Sequence, residues 1–149
     1  MRIKTKKGFT FVELMVVIVI LVILAATAVP RLVGRTDQAR IAAASADIEA
    51  NIATALALYE LDNGRYPTTE QGLQALVTEP TSSPVPSSWN GPYLKKKRVP
   101  KDPWGKLYVY VQPGVHNEDD YDLYSLGPDG IEGGGDDVSN WEEFTGDDE

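Results

Sequence analysis

A chain of 149 residues has room for one compact domain with an appendage, and two full domains are excluded on length. Its 22 acids outnumber 14 cations for a net charge of −8, and from Glu118 to Glu149 thirteen Asp and Glu stand without a single Lys or Arg, which disfavours nucleic-acid binding through phosphate neutralisation. There is no cysteine, so no disulfide can staple any part of the fold.

The first seven residues, MRIKTKK, hold Arg2, Lys4, Lys6 and Lys7 and no acid. Phe9 to Val29 is then apolar except for Thr10, Glu13 and Thr27, a run of 21 residues where about 20 suffice to cross a bilayer as a helix. The cations predict a cytoplasmic N-terminus, which sends everything after Val29 outward. A secretory signal also has a basic stub and an apolar run, and "LAATAVP" has the small residues of a signal cleavage site. The sharp border at Gly8, ahead of the apolar run, favours a retained membrane helix instead. Within that run Glu13 is the anomaly, because a carboxylate in hydrocarbon costs several kcal/mol or more without a partner.

Beyond Pro30, read as a kink, "RLVGRTDQARIAAASADIEANIATALALYELDNG" continues in helical spacing, with Leu32, Ile41, Ile48, Ile52, Leu56 and Tyr59 as its apolar stripe. Asp62, Asn63 and Gly64 are a stop signal. One helix from about Phe9 to Leu61, softly interrupted at Pro30 and Gly34, would run roughly 80 Å at 1.5 Å per residue. Its second half is amphipathic and needs cover. In "YPTTEQGLQALV", Thr69 and Glu70 precede Leu73, Leu76 and Val77, which predicts a capped short helix. A Pro- and Ser-rich loop follows. Alternation predicts strands at Leu107–Val111 and Tyr121–Leu126. The fold class expected is α+β, a long helix whose distal half packs on a small antiparallel sheet.

Two stretches carry candidate chemistry besides the border. In "YSLGPDGIEGGGDDVSNW", Asp129, Glu132, Asp136 and Asp137 share a loop with five glycines, a set of hard oxygen donors that suits Ca²⁺ better than zinc or copper. The spacing is not that of an EF-hand, and a merely solvated acidic loop is the alternative. The cluster Lys95 to Arg98 ("KKKR") is either a solvated surface or a complement to the acidic C-terminal region of a neighbouring copy. His116, the sole histidine, lies in a polar loop with no evident catalytic partner, and no P-loop, zincin, GxSxG or paired-cysteine pattern occurs, so an enzyme is not expected. Trp89, Tyr93 and Trp104, near Pro92 and Pro103, are expected to pack a turn against the sheet.

The border "KKGFTFVELMVV" combines basic stub, Gly8, Phe9, Glu13 and apolar run, and so resembles the type IV pilin and pseudopilin class. The resemblance implies that an inner-membrane prepilin peptidase cuts between Gly8 and Phe9 and N-methylates Phe9. Residues 1–8 are then a leader, 9–29 a transmembrane and assembly helix, and 30–149 a periplasmic head. Glu13 would neutralise the amine of Phe9 on a neighbouring subunit and act as a register device, because such a pair attracts strongly in low dielectric. A carboxyl protonated in the membrane, or kept wet at its interface, is the alternative.

"YPTTEQGLQALV", "GPYLKKKRVPKDPWGKLYVYVQPG" and "YDLYSLGPDGIEGG" are similar to the major pseudopilins of the type II secretion system along nearly the whole chain. This implies a homo-oligomeric periplasmic fibre that works with minor pseudopilins, an inner-membrane platform and its ATPase, and an outer-membrane secretin to export folded proteins. It also implies Ca²⁺ held by the carbonyl of Leu126, the side chains of Asp129 and Asp136, and a carbonyl near Val138, with Asp137 open as an alternative to Asp136. A type IV pilin for adhesion, twitching or DNA uptake shares the border but commonly pins its C-terminal region with two cysteines, which are missing here. Losing the leader leaves ten cations against 22 acids, a net of −12.

Overall fold

The computed structural model describes residues 8–141, and for 25–35 the backbone alone. The cations of the stub, the acids beyond Trp141 and the side chain of Leu32 lie outside that description, whereas the interruption expected at Pro30 and Gly34 is not seen, since the backbone is helical at both. The chain divides into two units, Met1–Gln38 and Ala39–Glu149, taken separately below.

Among its described residues the first unit is helical from Phe11 onward. α1, Phe11–Ala46, begins on a reciprocal cap: the Glu13 amide donates to Thr10 Oγ1 at 3.2 Å, while the Thr10 amide donates to Glu13 Oε2 at 3.5 Å. Every residue from 8 to 24 is exposed, including Phe9, Met15, Ile18 and Leu21, so this segment buries nothing within its own chain.

In the second unit the end of α1 leads into a π-helical turn, Asp47–Ile52, and then α2, Ala53–Asn63. Alanine dominates this stretch and favours helix. The predicted stop is present: Gly64 takes the left-handed conformation (φ 71°) and its amide donates to the Glu60 carbonyl at 2.7 Å. Ala44, Ile48, Ile52, Ala55, Leu56 and Tyr59 are buried. Ile41 was expected in that stripe but is 43% exposed, since the head's core cluster reaches back only to Ile48.

The capped short helix differs from expectation. Only Leu73–Leu76 is helical, as a single 3₁₀ turn. The reciprocal box before it joins Thr68 and Gln71, whose side chains each accept the other's amide, at 3.2 and 3.1 Å. Thr69 instead bridges to the chain at Gln112, accepting from its amide and donating to its carbonyl. Gln71 is buried because its amide nitrogen also holds the Ser82 and Pro84 carbonyls.

The sheet has three antiparallel strands in chain order: β1, Val109–Val111; β2, Asp122–Ser125; and β3, Val138–Ser139. Val109 pairs with Tyr124, and Tyr124 pairs with Ser139. β2 is buried at all four positions, as befits a central strand. The first two strands are shorter than predicted, and Leu107 contributes only an isolated bridge to Lys101. One core cluster joins Ile48, Ile52, Leu56 and Tyr59 to Leu73, Leu76, Leu94, Tyr108, Tyr110 and Leu123. Two of the loop aromatics are held by helical elements and not, as expected, by the sheet: Trp89 donates to the Ala75 carbonyl at 2.9 Å, and Tyr93 meets both Trp89 and Tyr59 edge to face, while the Trp104 indole nitrogen is buried without a partner.

Candidate functional sites: the N-terminal border and the acidic loop

At the border, Gly8 and Phe9 precede the first helical turn and are exposed, with no side chain packed over them. Glu13 already has a local partner in the Thr10 amide, a cap that the sequence reading did not weigh. Its carboxylate therefore compensates the unsatisfied amides of its own helix start, and still projects from an exposed face among Phe11, Leu14 and Val17.

The acidic loop joins β2 to β3 and is tethered at its start. Asp102, buried at the head of "DPWGK", accepts the amides of Trp104 (3.1 Å) and Lys106 (2.7 Å) on Oδ1 and the Ser125 hydroxyl (2.6 Å) on Oδ2. The Ser125 oxygen in turn accepts the Gly127 amide at 3.2 Å. The turn that the sequence offered as a family string is thus a scaffold for the first residues of the loop.

Within the loop the Leu126 carbonyl accepts the Gly130 amide at 2.9 Å. Asp129 and Asp136 come together: a Cβ on Gly134 would clash with Asp129 Oδ2 and lie only 2.8 Å from Asp136 Oδ1. Asp136 Oδ2 accepts the Asp129 amide at 3.2 Å, and Asp137 Oδ2 accepts the Gly133 amide at 2.8 Å. Asp136 Oδ1 and Asp137 Oδ1 are both buried without a hydrogen-bond partner, a condition that desolvates an anion without compensation. Val138 stands in β3 opposite Ser125. Glu132 turns away to accept from the Tyr124 hydroxyl, and the Lys106 ammonium fills the space that a Cβ on Gly130 would take.

Two carboxylates thus converge and a third lies adjacent. Among the described residues, no group of three or more His, Cys, Asp and Glu is arranged as metal ligands. The donor type nevertheless fits a hard cation: carboxylate oxygens, two of them buried and unpaired, beside backbone carbonyls.

A second acidic centre escaped the sequence reading. Asp122, in β2, is buried and accepts the amides of Val115, His116 and Asn117 at 2.7 to 3.0 Å, with His116 Nδ1 3.1 Å away. Burial pushes its carboxyl pKa up, but the amides of His116, Asn117 and Val115 outweigh burial and hold it below the ordinary value. His116, expected to have little to hold it, is fixed by this carboxylate and by stacking on Trp141 at 4.1 Å. The arrangement clasps the 115–121 loop to the C-terminal side of the sheet. Its only hint in the sequence was an acid inside an apolar alternation.

The family model described as "Type II secretion system (T2SS), protein G" matches residues 31–141, and that for the "Prokaryotic N-terminal methylation motif" matches residues 3–29. The type II secretion system core protein G of Pseudomonas aeruginosa is 52% identical over 146 residues, covering 95% of this chain and 99% of that protein. Its counterpart in Aeromonas hydrophila is 49% identical over 142 residues, covering 95% and 96%. The crystal structure of the major pseudopilin from the type 2 secretion system of enterohaemorrhagic Escherichia coli matches with a TM-score of 0.65 at 42% identity, covering 74% of this chain and 89% of that one.

A methylation-type border, a long helix and a head with a three-stranded antiparallel sheet define the pilin-like α+β class. Within that class, the chain belongs to the type II secretion system protein G family, the major pseudopilins. Its role accordingly lies in type II secretion, as a membrane-anchored structural subunit, and not in an adhesive or motility pilus.

Proposed function

We propose that the chain is the major subunit of a periplasmic pseudopilus that polymerises through its N-terminal helix and drives export of folded proteins through an outer-membrane secretin. The observation that carries this reading is the run of apolar residues from Phe11 to Leu24, all exposed, ahead of a head that has its own core. Lipid covers such a face before assembly and the helices of other copies cover it afterwards. Among the described residues Phe11–Leu24 is a shorter apolar helix, and the stretch with the length and hydropathy of a span is Thr36–Asn63, but that one carries Asp47, Glu49 and Glu60 and supplies the core of the head.

In this reading the prepilin peptidase cuts between Gly8 and Phe9 and methylates Phe9, and the head faces the periplasm. Glu13 then exchanges its local cap for the new amine of a neighbouring Phe9. Energy comes from the ATPase of the inner-membrane platform, and minor pseudopilins and the secretin complete the machine. The chain itself contributes packing and no catalysis.

Ca²⁺ belongs to the same proposal. Asp129, Asp136 and Asp137 with the carbonyls of Leu126 and Val138 would hold it, and the ion would relieve the repulsion among these closely placed carboxylates. The donor chemistry and the unpaired oxygens of Asp136 and Asp137 support this.

The test of the assembly reading is a strain lacking its own major pseudopilin and supplied with this chain. Secretion of a folded substrate should return with the wild type and fail with Gly8→Glu, which keeps the leader attached. Equal secretion by both would reject the processed-fibre reading.

A further inference from the structure

Beside the π turn of the head lies a groove of about 550 Å³ lined by Lys95, Lys96, Arg98 and Lys101, with Asp47 and Asn51 on the helix side. The four cations are exposed, and no ion pair or side-chain hydrogen bond holds any of them among the described residues. The one carboxylate in the wall, Asp47, is engaged by Asn51 Nδ2 at 3.1 Å and the Tyr108 hydroxyl at 3.2 Å. The groove therefore presents four positive charges with little to balance them, on a chain whose net charge is strongly negative.

The complementary charge lies past Trp141, where Glu142, Glu143, Asp147, Asp148 and Glu149 fill five of the last eight positions. Sheet register separates the two features. Tyr108, which bonds the groove's Asp47, precedes β1 on the side of Ser125, whereas Trp141 follows β3 on the side of Asp122 and stacks on His116 of the clasp. The acidic segment thus leaves from the end of the sheet opposite the groove.

We propose that this groove receives the acidic segment 142–149 of a second copy of the chain. The inference rests on the assembly reading, and it names the surfaces that meet between heads. A contact between two different surfaces of identical subunits repeats from copy to copy, as a fibre requires. Its charge pairs are exposed and therefore weaken as salt rises.

The absence of cysteine makes a direct test possible. Full-length Lys96→Cys and Asp148→Cys chains are produced together in cells, the membranes are treated with a thiol cross-linker, and fibres are sheared from the same cells and counted. The expected result is a cross-linked dimer of the two variants, reduced severalfold when Arg98→Glu and Lys101→Glu are added. Normal fibres with no dimer would overturn the docking while leaving the assembly reading intact. A cross-link found only within a chain carrying both cysteines would also overturn it, by placing the segment in its own groove. Absence of fibres from the unmodified chain would instead strike the assembly reading itself. As a second measurement, ending the chain at Trp141 should lower fibre yield severalfold at low salt and less at high salt, and an unchanged yield would contradict the proposal.

Discussion

Glu13 has two uses that one substitution can separate. As the last residue of a capping box, the third of the helix, it needs only an oxygen acceptor, which glutamine also supplies. As a partner for a neighbouring amine it needs a charge. Glu13→Gln should keep the helix start and lose fibres as completely as Glu13→Ala; fibres retained in Glu13→Gln alone would assign the residue to capping. Asp122 presents a different balance. Its depressed pKa means that the folded state binds the proton less readily than the unfolded chain, whose value lies near 3.8. The stabilisation is thus fully present above that value and disappears as pH falls through the lower, folded one. Asp122→Asn, which cannot accept the same set of amides as a charge, should cost about 1–3 kcal/mol at neutral pH. The loss should shrink as a denaturation series is carried to low pH, and a pH-independent difference would count against the electrostatic account. The apolar alternation around Asp122 made the strand legible, but the amides that surround it come from a turn seven residues earlier, and no periodicity in the sequence points to them.

Elements set by short-range rules were the most readable. The helix stop at Gly64 follows from one conformation that glycine adopts readily, and Leu73 and Leu76 are buried on the one turn they define. Where tertiary contacts choose between neighbours, the sequence was silent: Thr68 rather than Thr69 closes the box, because Thr69 is held by Gln112. β3 is two residues long and has no alternation to detect. The acidic loop was legible as a cluster of oxygens, whereas its tether through Asp102 and Ser125 was not. That tether makes the "DPWGK" turn and the loop one mechanical element. Ser125→Ala, which leaves a buried Asp102 oxygen without its donor, should destabilise the head by about 1–3 kcal/mol in thermal unfolding. If the loop holds calcium, excess metal at about 100 times its Kd adds about 2.7 kcal/mol to the full-length processed chain. A chelator should then lower its Tm on the order of 10 °C. Asp129→Ala should erase that difference, and so should Gly134→Ala, whose methyl would displace Asp129 and Asp136. A chelator without effect on the unaltered chain would reduce the loop to a solvated acidic surface.

At the scale of the molecule, the two units differ in how they treat their apolar side chains. The head encloses its aliphatic and tyrosine side chains in one core, whereas the segment from Phe11 to Leu24 exposes nothing but apolar surface except at Glu13. Within one copy Glu13 caps its own helix start, and in the proposed stack of identical helices it would also meet a free amine. With residues 1–8 removed, a net charge of −12 would oppose close approach of heads, a repulsion that the proposed charge pairs and calcium would relieve. The most direct test is the yield of sedimentable fibres from cells making this chain at equal membrane content, compared between wild type and Glu13→Ala. Fibres from the wild type and none from Glu13→Ala is the predicted result. Equal yields from the two, or no fibres from either, would contradict assembly through the N-terminal helix.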